Sequence, residues 1–189
     1  MQKSIRLFSI SLFAIALFFT SFSANALSGI PTEYKFGNDL LVLNGAGTRT
    51  KFVISVYNAG LFLKKKSSDA NQIIKANEIM AIRLKVVSGF VSSEKMKAAL
   101  NEGFKNATGG NTTPIQAQID QLITKGFAGE IKKGDVFDIV YTPAAGSLVA
   151  KNSKTVTTIK GLPFKQALFG IWLSAKPAQE SLKKQMLGQ

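Results

Sequence analysis

Apolar residues recur along this chain in three rhythms: one unbroken block, then alternation, then spacing by threes and fours. The block is "LFSISLFAIALFF" at 7–19, preceded by Lys3 and Arg6 and followed by "TSFSANA". A basic start, a short apolar run and small residues at Ala24 and Ala26 describe a secretory signal cut after Ala26, and the run falls short of the roughly 20 residues of a spanning helix. No second run of that kind follows, so one domain is expected over 27–189, with no integral membrane segment once the signal is removed.

Alternation begins with "PTEYKF", a "GND" turn and "LLVLN", which read as a hairpin. In "KFVISVYNAGLFL" period two puts Val53, Ser55, Tyr57, Ala59 and Leu61 on one face and Phe52, Ile54, Val56, Asn58 and Phe62 on the other. Both faces are largely apolar, so this strand is expected to be covered on both sides. "IMAIRLKVV" sets Ile82, Leu84 and Val86 against Arg83 and Lys85, a strand with one wetter face. "VFDIVYT", "SLVAK" and "KTVTTIK" complete the strands, the last pair turning at "NS".

Helical spacing appears in five places. A short helix over "SSDANQIIKAN" is capped by Asp69, and Ser92 or Ser93 caps a longer one with Met96, Ala99, Leu100 and Phe104 in a stripe. Thr113, Pro114 and Gln116 form a capping box for a helix lined by Ile115, Ile119, Leu122 and Ile123. "LPFKQALFGIWLSA" buries Phe164, Ala167, Leu168 and Ile171, and a last helix opens at Pro177 and stops at Gly188. Strands, helices, strands and helices without regular βαβ alternation imply an α+β fold, an antiparallel sheet with helices on one face.

Composition narrows the chemistry. The chain has neither histidine nor cysteine, so disulfides, zinc sites with His or Cys ligands, Ser-His-Asp triads and Cys nucleophiles are excluded. No metal or cofactor is expected. Its 24 Lys and Arg against 11 Asp and Glu make a formal +13, and losing 1–26 removes Lys3 and Arg6 to leave +11. The surplus suits acidic small molecules or lipid head groups. Export and the spread of basic residues along the chain speak against nucleic acid, and "KKK" at 64–66 reads as a solvated strand end.

The stretch "LNGAGTRTKF" at 43–52 invites a nucleotide-binding reading and fails it. Thr50 stands where a dinucleotide fingerprint has its third glycine, and a strand follows where a helix is required. The glycines permit a bulge, a turn or the close approach of another backbone or a ligand. Arg49, whose planar fork can grip a carboxylate, then becomes the candidate. Tyr57 shares its parity, but along one flat strand the two would stand about 26 Å apart, so a common ligand requires a bend between them.

"LNGAGTRTKFVISVYNAGLFL" resembles the signature of the chalcone isomerase-like family, in its bacterial exported branch. "VSSEKMKAALNEGF", "KKGDVFDIVYTPAAGSLV" and "GLPFKQALFGIWLS" are similar to that branch in the same order, so that the resemblance covers about 29–188. It implies an open-faced β-sandwich, a large antiparallel sheet with a layer of helices. It also implies one of three activities: an intramolecular lyase acting on an enone, a fatty-acid binder gripping the carboxylate with Arg and Tyr, or a non-catalytic helper. Arg49 matches the Arg shared across the family, and Tyr57 falls where the fatty-acid binders have Tyr and the isomerases Thr. The other isomerase positions depart from the pattern: Phe90 stands for a Tyr, Lys97 for an Asn and Ile171 for a Ser or Thr. The resemblance therefore favours an exported, non-catalytic binder of a small apolar acid such as a fatty acid, with Arg49 and Tyr57 on the carboxylate and Ser55 and Asn58 lining the site. The alternatives are an isomerase using Arg49 and a periplasmic partner-binding protein.

Overall fold

The computed structural model describes residues 27–189; the expected signal segment lies outside them. Seven strands form one antiparallel sheet in which every neighbour in space is a neighbour in sequence. They are β1 (Glu33–Phe36), β2 (Asp39–Lys51), β3 (Ile54–Leu63), β4 (Met80–Val86), β5 (Val136–Thr142), β6 (Gly146–Lys151) and β7 (Lys154–Ile159). Helices α1 (Ala70–Lys75), α2 (Ser93–Ala107), α3 (Gln116–Gln121), α4 (Leu162–Leu173) and α5 (Glu180–Met186) occupy the connections and the C-terminus. This is the expected α+β class, an open-faced β-sandwich.

Alternation divides the sheet between two cores. Ala59, Leu61, Ile82, Leu84, Ile139 and Val149 face the helices, where Phe104, Phe164 and Leu168 meet them in the larger cluster. Phe62, Ala81 and Val140 face the other way, covered by Ile30 and Leu41 with Tyr34 packed against them. The expectation that β3 is buried on both sides holds, since from Tyr57 to Leu63 every residue is buried. Beyond its first turn helix α4 lies in the interior, with every residue from Ala167 to Leu173 buried.

The caps at Asp69 and Ser92 form as expected, accepting from the backbone N–H of Gln72 and Lys95. Gly188 ends the last helix at φ 72°. Other expectations need correction. Thr113 and Pro114 begin a 3₁₀ turn rather than a capped α-helix, and after α3 the chain continues as a π-helical turn, Leu122–Gly126. Ala99 is exposed; Gly103 takes its place against α4, where a β-carbon would press on Ile171. Pro177 precedes α5 by a turn, and Gln179 is its N-cap residue.

The largest correction concerns 43–53. Gly45, Ala46 and Gly47 lie inside β2, and the chain reverses at Phe52-Val53, between paired residues Lys51 and Ile54. The glycines are explained by α5, which lies directly on β2. A β-carbon at Gly45 would collide with the backbone of Gln185 and Met186, and one at Gly47 with the Gln185 side chain. Asn44 fastens the same junction, donating to the carbonyls of Ser67 and Met186 at 2.9 and 2.8 Å.

Candidate functional site

The hairpin at Phe52-Val53 changes the geometry of the candidate residues. Arg49 and Tyr57 sit on adjacent strands and are paired directly across β2 and β3, beside a register shift between Arg49 and Thr50. Opposed residues of an antiparallel pair project from the same face, so the pair needs no bend to meet, and the separation expected along a single strand does not apply. The face they share is the one packed on helices, since Tyr57 belongs to the larger core.

Tyr57 is 8% exposed, and its hydroxyl accepts a 3.0 Å hydrogen bond from Nε1 of Trp172 in α4. A phenol oxygen that accepts in this way still has its own proton to donate. Burial pushes the Tyr57 phenol above its ordinary value, while the Trp172 bond and the charge of Arg49 pull against that shift. Trp172 therefore both packs in the larger core and orients the candidate phenol.

Arg49 is half-buried and held by neutral acceptors. Its Nη1 donates to the Thr50 carbonyl at 2.6 Å and to Oε1 of Gln179 at 3.1 Å. The same Gln179 oxygen accepts from the Thr50 backbone N–H at 2.8 Å. Among the described residues no carboxylate forms an ion pair with Arg49. One oxygen receiving both a guanidinium and a backbone N–H is the arrangement a carboxylate oxygen would take. Gln179 has no sequence signal: it comes from the turn before α5 and meets Arg49 across 130 positions.

The other two candidates are not gathered here. Asn58 is buried on the opposite face, accepting from Thr48 at 2.9 Å and donating to the Ser28 carbonyl at 3.0 Å. Ser55 is exposed near the hairpin tip. Of the isomerase-type positions, Phe90 points into solvent at 70% exposure, and Ile171 is buried against Gly103.

Among the clefts that the described residues form, two have volumes of about 500 and 340 Å³. The first is flanked by Val91, Ser93, Lys97 and Ile131 at the start of α2; the second by Tyr34, Arg83, Asp138 and Leu148 on the sheet face away from the helices. Neither is lined by Arg49 or Tyr57. Among the described residues no group of three or more acidic side chains could hold a metal ion, and no helix is long and apolar enough to cross a membrane.

One cation was not singled out by the sequence. Lys165 in α4 is fully buried, and its Nζ donates to the carbonyls of Ile73, Ile74 and Ala76 at 2.8, 3.0 and 2.8 Å. Three carbonyls receive the three protons of an ammonium, closing the end of α1 where carbonyls lack helical partners. Burial lowers its pKa to about 8, against a small opposing pull from Glu78. With its donors spent on α1, Lys165 is a fastening of the fold.

The sheet, its helical layer and the facing Arg–Tyr pair define an open-faced β-sandwich with a cation at the edge of its core. The family model described as chalcone isomerase-like matches residues 24–188, and the chain belongs to that family. Among solved structures it is similar to a fatty-acid-binding protein of Arabidopsis thaliana, with a TM-score of 0.66 and 15% sequence identity over 84% of this chain and 90% of that one. At that identity the likeness shows the fold. A comparison with curated proteins finds no match.

Proposed function

We propose that this protein is a non-catalytic binder of a small apolar acid, such as a fatty acid, and that it acts in the periplasm or outside the cell after removal of 1–26. One observation carries the reading: Arg49 has a Tyr directly opposite, no acidic partner among the described residues, and a carboxamide oxygen where a carboxylate oxygen would fit. A ligand carboxylate entering there exchanges a neutral acceptor for a charged one, and charge-assisted hydrogen bonds are about twice as strong as neutral ones. The Tyr57 proton is the second donor. The apolar chain then lies between sheet and helices beside Val56 and Trp172, with the turn bearing Gln179 moving aside.

Native mass spectrometry of the purified protein tests this. A copurifying acidic lipid that is lost in Arg49→Ala supports it; absence of such a lipid, with fatty-acid binding unchanged in that variant, overturns it. Gln179→Ala, which removes the competing acceptor, should tighten binding.

The isomerase reading has less support, because Phe90 and Ile171 bring no hydrogen-bonding atoms to the positions where the isomerases use them. A chalcone absorbance that decays no faster than background excludes it. The partner-binding reading draws on a separate feature, the exposed apolar side chains at one end of the sheet.

A further inference from the structure

The hairpin joining β2 and β3 breaks the usual rule for a tight turn. Its two loop residues are Phe52 and Val53, exposed by 91% and 94%, and Phe52 holds φ at 54°. A positive φ at the first loop position normally calls for glycine, and a bulky residue there is strained. At the β6–β7 turn of the same sheet the positive φ values belong to Asn152 and Ser153. Local chemistry thus does not account for an aromatic residue at the β2–β3 tip.

A second apolar tip stands beside it. The chain leaving β4 is tied to β3 by Val87 N–H on the Val56 carbonyl at 3.1 Å, and three residues later Phe90 is 70% exposed. Ile54 adds a partly exposed flank. These four are all but one of the large exposed apolar side chains among the described residues, the exception being Leu40.

Cations stand behind both tips. Lys51 adjoins Phe52, and the Lys95 ammonium donates to the Phe90 carbonyl at 2.9 Å. Lys97 follows in α2, and Lys132 and Lys133 lie in the loop that Gly134 N–H fastens to the Val86 carbonyl at 2.9 Å. The acidic residues at this end include Glu94, Glu130 and Asp135. Glu130 pairs with Lys132, and Asp135, whose carbonyl accepts from Val86 N–H, pairs with Lys151 at 2.8 Å. Positive charge prevails locally as it does across the chain.

We infer that this end of the sheet docks on an anionic lipid bilayer, with Phe52, Val53 and Phe90 entering the interface and the lysines resting on the head groups. Two narrow protrusions with cations behind them match a soft, negatively charged surface, where apolar insertion and charge attraction add. This deepens the partner-binding reading, on which it rests, by naming the partner; it stands whether or not Arg49 holds a ligand.

The test is flotation of the purified full chain with vesicles of phosphatidylcholine alone or mixed with phosphatidylglycerol. Binding should require the anionic lipid and weaken in high salt. Phe52→Ser, Val53→Ser and Phe90→Ser combined should lower partitioning by more than about tenfold, equivalent to about 1.4 kcal/mol, with the near-ultraviolet dichroism of Trp172 unchanged. Because 1–26 is common to parent and variant, a site-specific signal completes the test. In Phe90→Trp the emission should shift to the blue, and brominated lipid should quench it. Equal partitioning of parent and triple variant with no blue shift overturns the inference. So does tip-dependent self-association without lipid, which would leave the broader partner-binding reading in place.

Discussion

Arg83 and Arg49 are set in the same sheet, and their surroundings differ in kind. Arg83 lies across from Asp138 in the β4–β5 register and holds it through Nε at 2.7 Å and Nη2 at 3.0 Å. Its guanidinium also covers the Tyr34 ring, 5.1 Å from the centroid. Arg49 has a carbonyl and a carboxamide. Neutral acceptors satisfy hydrogen bonds but leave the charge uncompensated, whereas a bidentate carboxylate satisfies both. The one cation is a finished piece of structure; the other has no acidic partner among the described residues, and the proposed anion site rests on that difference.

Removing one member of each set sharpens the contrast. Asp138→Ala leaves a half-buried guanidinium unpaired and should cost about 2–4 kcal/mol in urea unfolding, below the full cost of a dry pair because water reaches Arg83. Tyr57→Phe should cost about 1–3 kcal/mol, since the buried Trp172 Nε1–H loses its acceptor, and the Trp172 emission should change with it. Arg49→Ala should cost less than about 1 kcal/mol in stability, yet weaken binding of an apolar acid by about ten- to a hundredfold. An Arg49→Ala protein as destabilised as Asp138→Ala would make the two arginines alike and end the comparison.

The smallest effect is in alkaline pH. Burial, with the Asp138 charge, pushes the Tyr34 phenol up to about 12 from 10. The folded state therefore keeps a proton that the unfolded state releases between those values. The stabilisation is complete below pH 10 and is lost as pH rises through 12, by about 1 kcal/mol after allowance for solvent. The stability difference between the parent and Tyr34→Phe should shrink over that window, while the same difference for Arg49→Ala should not follow it.

Most of the elements were legible because their signals are local. Alternation at Ile82, Leu84 and Val86, the caps at Asp69 and Ser92 and the stop at Gly188 each depend on residues a few positions apart. The β2–β3 reversal was not legible: Phe52-Val53 has no turn residue, while Gly45-Ala46-Gly47, which looks like a turn, is strand. Arg49 and Tyr57 could be picked from the residues and the family resemblance, but their pairing depended on that reversal. Asn58 and Ser55 were drawn into the same site by nearness in sequence, and the pleat and the hairpin tip sent them elsewhere.

By itself the sequence determined the class of fold, the exclusion of thiol and histidine chemistry, and the arginine to follow. These rest on composition and on periods of two and 3.6, which a chain carries before it folds. Tertiary structure alone decided that Gly45 and Gly47 receive α5, that Gln179 occupies Arg49, that Lys165 closes α1, and that Phe52 and Phe90 share one end of the sheet. Each joins residues far apart in the chain, and such contacts follow from how the sheet and helices pack.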